Sequence, residues 1–192
     1  VANCSARAYG GGIFAVARSD VAVRETATVT SCAAGKEGGG LALVSASAEI
    51  GGQAAVRTCV ARDGGGGGAY IFYQARLIVK HQASITECES WQGGGIFSER
   101  ESRLLLQDDA AVTSCHAAWQ GGGVFLRRSV AYLEGASAVQ GCESVEGGGI
   151  YSRESELAFH GGAMVADCKA DGGSGGGLHL HESATVLLGG QA

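Results

Sequence analysis

The stretch Ala110–Phe125 reads Ala-Ala-Val-Thr-Ser-Cys-His-Ala-Ala-Trp-Gln-Gly-Gly-Gly-Val-Phe. A cysteine follows Val112 by three residues, and three glycines follow the cysteine before an apolar pair. The same order recurs along the whole chain. Its cysteines are Cys4, Cys32, Cys59, Cys88, Cys115, Cys142 and Cys168, spaced 28, 27, 29, 27, 27 and 26 residues apart. Each is followed by a glycine cluster: Gly10–Gly12, Gly38–Gly40, Gly64–Gly68, Gly93–Gly95, Gly121–Gly123, Gly147–Gly149 and the run Gly172–Gly177, which Ser174 interrupts. Self-similarity at a fixed period of 20–50 residues marks a repeat architecture, and it outranks every other signal.

Aligning the repeats on cysteine brings up further columns. Three residues before it stand Val29, Val56, Ile85, Val112, Val139 and Val165, and nine before it stand Val23, Ile50, Val79, Leu106, Leu133 and Phe159. Apolar positions at −11, −9, −5 and −3 are two residues apart. That is the alternation of a strand and not the 3.6-residue period of a helix. Each unit is therefore predicted to hold about three short strands: one near −11 to −9, one near −5 to −3, and one after the glycines. The Cys-x-Ala step is a short extended piece between turns. A unit of about 27 residues cannot bury its apolar face alone, but stacked copies can, each strand pairing in parallel with its equivalent in the next coil. The fold expected is a right-handed parallel β-helix of about seven coils, the hand following the rule for parallel crossovers. A propeller blade needs about 40–50 residues, more than the repeat supplies.

Composition agrees. Glycine makes up 34 of 192 residues and proline none, while 45% of the chain is apolar. Collagen needs glycine at every third position with abundant proline, and a flexible linker needs low hydrophobicity. The net charge of −5 argues against nucleic-acid backbones as partners. No apolar run is long enough to span a membrane. Residues 1–192 read as a single solenoid section. Both ends fall within a repeat, Ala192 matching the −5 alanine of an eighth coil, so a longer protein or end-on association with a neighbour is expected.

The unit Ala-x-Val-x-x-Cys-x-Ala-x-x-Gly-Gly-Gly-Ile-Tyr/Phe, clearest in Ala110–Phe125 and Ser137–Tyr151, resembles the repeats of polymorphic outer-membrane proteins and related pectin-lyase-like β-helices. It departs from them in two places: cysteine stands where they carry asparagine, and a third glycine replaces alanine. The resemblance implies a right-handed β-helix in an extracellular or cell-surface setting. It says little about catalysis, because one fold carries many functions.

Several residues are candidates for function. Stacking would place the seven cysteines in one column. An interior ladder of small apolar thiols and disulfides between neighbouring coils both fit that placement. Without Cys-x-x-Cys or Cys/His spacing, no metal site is expected. One residue beyond the apolar position after each glycine cluster stand Phe14, Ala42, Tyr70, Phe97, Phe125, Tyr151 and His179. Alternation turns this column outward, as a stripe for sugars or a protein partner or as a self-supporting aromatic ladder. The acid–base groups are weaker candidates. Stacking brings His81 beside Asp108, but Asp108 and Asp109 are strand neighbours pointing to opposite faces, so a solvated turn is expected and no catalytic residue is named. No Gly-Lys-Ser/Thr follows any glycine cluster, which excludes a phosphate loop. His179 and His181 share a strand face but lack a third ligand. Asn3-Cys4-Ser5 spells a glycosylation acceptor at a turn.

The function expected is a non-enzymatic structural or adhesive module presenting an extended face to protein or glycan partners, with no cofactor. The alternative is a section of a polysaccharide-modifying enzyme. Spacings of 26–29 residues leave no room for the long loops such an enzyme needs.

Overall fold

The computed structural model describes residues 1–189; Ala192, with the eighth-coil alignment, lies outside the described residues. The described residues form strands and no helix, and the strands stack in parallel as a β-solenoid of about seven turns. Each turn has four sides rather than three. In the fifth turn they are His116–Gln120, Val124–Arg127, Val130–Leu133 and Ala138–Gln140. The equivalents of these strands build four parallel sheets, here called first to fourth in chain order, of seven, seven, seven and six strands among the described residues. The extra side is the Cys-x-Ala segment, which forms the first sheet and is not merely a link between turns. Only two residues long in the first three coils, it is too short for its alternation to show.

Register follows the sequence columns. Leu77, Leu104 and Ala131 pair in succession, as do Ile85, Val112 and Val139. A slip of one residue would turn each apolar set outward, so register is strongly specified. Inward side chains form one continuous core, including Leu41, Ile96, Leu104, Leu106, Leu133 and the buried cysteines.

Four sides need four corners, and each is turned by a residue in the left-handed region. Around the fifth turn these are Ser114 (φ 52°), Gly121 (φ 65°), Arg128 (φ 49°) and Gly135 (φ 71°). A residue with a Cβ is uncommon there, yet 20 non-glycine residues adopt it among the described residues. The corners stay hydrogen-bonded to the next coil, which offsets the strain. Ser114 donates its N–H to the Gln140 carbonyl at 3.0 Å, and Arg128 donates to Arg153 at 3.1 Å. Because nearly every N–H is committed in this way, proline has no place in the coils.

The three glycines of a cluster are required for three different reasons, shown by Gly93–Gly95. Gly93 turns the corner between the first and second sheets with φ +61°. A Cβ on Gly94 would run into the carbonyl oxygens of His116 and Gly122. A Cβ on Gly95 would sit 2.6 Å from Val112 Cγ1 and 3.2 Å from Cys115 Sγ of the next coil. The cysteine and the third glycine are thus packed against each other across neighbouring coils.

Candidate binding face

Seven free thiols form the cysteine column; Cys32, Cys59, Cys88, Cys115 and Cys142 are buried, and Cys4 and Cys168 half-buried. The disulfide alternative is not realised in the structure. Each thiol instead donates to the carbonyl two residues earlier: Cys59 to Arg57 at 3.2 Å and Cys115 to Thr113 at 3.3 Å. Neighbouring sulfurs and then burial push the Cys59, Cys115 and Cys168 thiols well above their ordinary range. The flanking thiols pull Cys88 and Cys142 in the opposite sense. Those two sulfurs also face carbonyl oxygens, at 3.2 and 3.4 Å, which repel an anion. The column is read as neutral thiols, and buried neutral thiols are unreactive.

The aromatic column does turn away from the main core, into a second apolar cluster of Ala42, Tyr70, Phe97, Phe125 and Tyr151. The expectation of an open stripe is corrected here. Phe97 is 5% exposed, Phe125 2% and Tyr151 4%. The rings stack along the solenoid axis and use their faces on one another. Phe97 and Phe125 lie 4.7 Å apart at 14°, and Phe125 and Tyr151 lie 5.3 Å apart at 1°. His179 continues the stack at 4.8 Å from Tyr151. At the other end Phe14 is 51% exposed and rests on Tyr9. Polar side chains line one edge of the column. Gln92 donates to Gln120 at 2.8 Å, and Gln120 donates to Glu146 at 2.8 Å.

Room for this arrangement comes from the extended run of glycines in the third coil. A Cβ on Gly65 would enter the Phe97 ring, and one on Gly64 would lie 2.6 Å from the Glu37 carboxylate. The Gly65 N–H donates to Glu37 Oε2. Burial raises the Glu37 carboxyl above its ordinary value, against the lowering effect of that hydrogen bond. Glu99, two coils on, is buried and paired with Arg127. Burial, and then Glu37 and Glu99, push the Tyr70 hydroxyl up.

His81 and Asp108 are brought together as the stacking argument required. The His81 N–H donates to Asp108 Oδ2 at 3.0 Å, while Nε2 stands 4.0 Å from the same oxygen. The Gly52 N–H donates to His81 Nδ1 at 3.3 Å. Both residues are exposed left-handed corners, so the contact closes a turn. His179 and His181 lie 6.3 Å apart between ring centroids. Asn3 occupies an exposed left-handed turn.

The sequence columns missed the outer face of the first sheet. Trp91 and Trp119, the chain's only tryptophans, are 52% and 42% exposed there on adjacent coils. Both stand in the same string, Trp-Gln-Gly-Gly-Gly, which was the available signal. Trp119 is offset by one residue because the strand His116–Gln120 carries a bulge between Ala117 and Gln120 opposite Glu89–Gln92. Bulges re-aim side chains at sheet surfaces, and this one shifts the second tryptophan along the strand. Toward the first coils the same face sinks into a depression of about 480 Å³ lined by Ser5, Arg7, Ala33, Gly35 and Arg62.

Comparison with family models, with curated proteins and with solved structures returns no match. The resemblance to outer-membrane repeats accordingly rests on the repeat columns alone.

Proposed function

We propose that this chain is a non-enzymatic structural or adhesive module. It offers the outer face of its first sheet to glycan or protein partners in a surface or extracellular assembly. The supporting observation is the pair of exposed tryptophans on an otherwise regular sheet. Large aromatic side chains held open on rigid strands contribute contact area at little entropic cost. The uniform coil length supports the same reading, because each corner is one or two left-handed residues and none extends into a loop that could enclose a substrate.

The test is to titrate the chain against immobilised extracellular glycans and matrix proteins while assaying each polysaccharide for new reducing ends. Saturable binding that Trp91→Ala with Trp119→Ala abolishes, without chain cleavage, is the expected result. Those substitutions should leave the melting temperature within about 2 °C, since surface changes rarely exceed ~0.5 kcal/mol. Turnover of any polysaccharide would replace this reading with the enzymatic one.

A further inference from the structure

Three unpaired cations stand at the tryptophan-free end of the first-sheet face. Arg7, Lys36 and Arg62 are exposed, and none makes an ion pair among the described residues. Several other cations, Arg18, Arg57, Arg76 and Arg103, are likewise without an ion pair among the described residues, so what sets this group apart is its place beside the depression. Arg7 and Arg62 flank the depression, and Gly35 lies between them in the intervening coil. A Cβ on Gly35 would run into the Arg7 carbonyl, so glycine is required there for the two coils to approach. The volume of about 480 Å³ falls within the ~300–1,000 Å³ of small-ligand sites.

The depression and the tryptophans belong to one axial line. Arg7, Gly35, Arg62 and Trp91 each stand three residues after their cysteine, in consecutive coils, and Trp119 follows at the bulge. From the first coil to the fifth is four rises of ~4.8 Å, about 19 Å. A pyranose repeat is close to one such rise. Besides Glu143, exposed on the strand paired with that of Trp119, two carboxylates lie nearer the arginines: Asp63, next to Arg62, and Glu89, one coil further. Neither forms an ion pair with the arginines.

We infer that this line is a binding site for an anionic oligosaccharide lying along the solenoid axis. Its sulfate or carboxylate groups would take the Arg7–Arg62 end, and its sugar rings would pack on Trp91 and Trp119. The inference rests on the module reading above and adds the ligand class and the direction of binding. Guanidinium groups match planar oxyanions through paired hydrogen bonds. Flat indoles match the C–H faces of pyranoses, and neither feature alone would select an acidic sugar. Although the chain is acidic overall, the interaction is local, since charges more than about 10 Å apart are screened at ordinary salt.

The test is to titrate the whole chain with a sulfated glycosaminoglycan hexasaccharide, an unsulfated uronate hexasaccharide, a neutral glucan hexasaccharide and a polyglutamate peptide of equal charge. With both tryptophans on the face, their emission reports occupancy directly, and calorimetry serves for variants that lack them. At least one acidic sugar is expected to bind ten-fold or more tightly than the neutral one, with affinity falling as salt rises. The sulfated and uronate arms identify which anion is preferred. Arg7→Ala with Arg62→Ala should remove that preference, and Trp91→Ala with Trp119→Ala should weaken the acidic sugar ten-fold or more. Equal binding of the neutral sugar, or arginine variants that bind as before, would overturn the anionic assignment and leave the module reading standing. Polyglutamate binding as tightly as the sugars, with no loss in the tryptophan variants, would overturn it in favour of an acidic protein segment. New reducing ends in any arm would instead remove the non-enzymatic reading and leave the face assigned.

Discussion

Three buried serines, Ser98, Ser137 and Ser152, have hydroxyls with no hydrogen-bond partner among the described residues, and two of them share one sheet. Ser98 and Ser152 occupy inward positions of the second sheet, in register with Ile71, Leu126 and Leu180. Both are 0% exposed, and neither hydroxyl has a hydrogen-bond partner. A buried hydroxyl without a partner costs about 1–3 kcal/mol. Ser152→Ala should therefore raise stability by about 1 kcal/mol in urea unfolding at unchanged m-value, and an equal loss would show that the hydroxyl is satisfied. Glu37 poses the corresponding question for charge. Its carboxyl titrates above the ordinary value in the folded chain because of burial. The native state then holds a proton that the unfolded state releases, so stability falls as pH rises from about 4.5. Glu37→Gln can keep the acceptor for Gly65 and removes the titration. Its melting temperature should exceed that of the parent increasingly from pH 4.5 upward and then level off. A constant difference across pH would refute this.

At the scale of the element, the sequence showed most of what is present. Alternation about Val112 and Leu106 located the third and fourth sheets, and the apolar pair after each glycine cluster located the second. The first sheet was only half visible, because its strands are as short as Ser5–Ala6. The corner at each glycine cluster was legible, since Gly93, Gly121 and their equivalents take positive φ, but the others could not be read. Ser31, Thr58, Glu87, Ser114, Gly141 and Asp167, each just before a cysteine, all have φ between 52° and 62°, yet no one residue type marks the position. What holds them there is the hydrogen bond to the next coil, a tertiary effect with no local signature. The aromatic column was placed on the correct side, but its burial comes from rings of neighbouring coils lying on one another, which depends on coil stacking. Trp91 and Trp119 were hidden for a related reason, since the bulge at His116–Gln120 breaks the column they would otherwise share. The strength of the register predicts that a whole unit can be removed. Deleting Glu89–Cys115 joins Cys88 to His116, which pairs where Glu89 does. The shortened chain should fold cooperatively, with its urea m-value reduced by about one seventh, in proportion to the surface buried. A molten product would show that the coils are not interchangeable.

For the whole molecule, the direction of the backbone hydrogen bonds has a mechanical meaning. Every ladder bond links one coil to the next and so runs along the solenoid axis. A load applied between the two ends pulls on those bonds in line and concentrates on the outermost coil, instead of shearing whole strands together. The rod should be stiff in compression and weak in tension, and it should peel turn by turn. Each turn frees about 27 residues, or roughly 90 Å of chain at ~3.4 Å per residue. Stretching a single molecule should give a low, even sawtooth with about 90 Å between events. A single high rupture would place the resistance elsewhere. A tether built in this way lengthens by measured increments under strain and can rewind when the load falls.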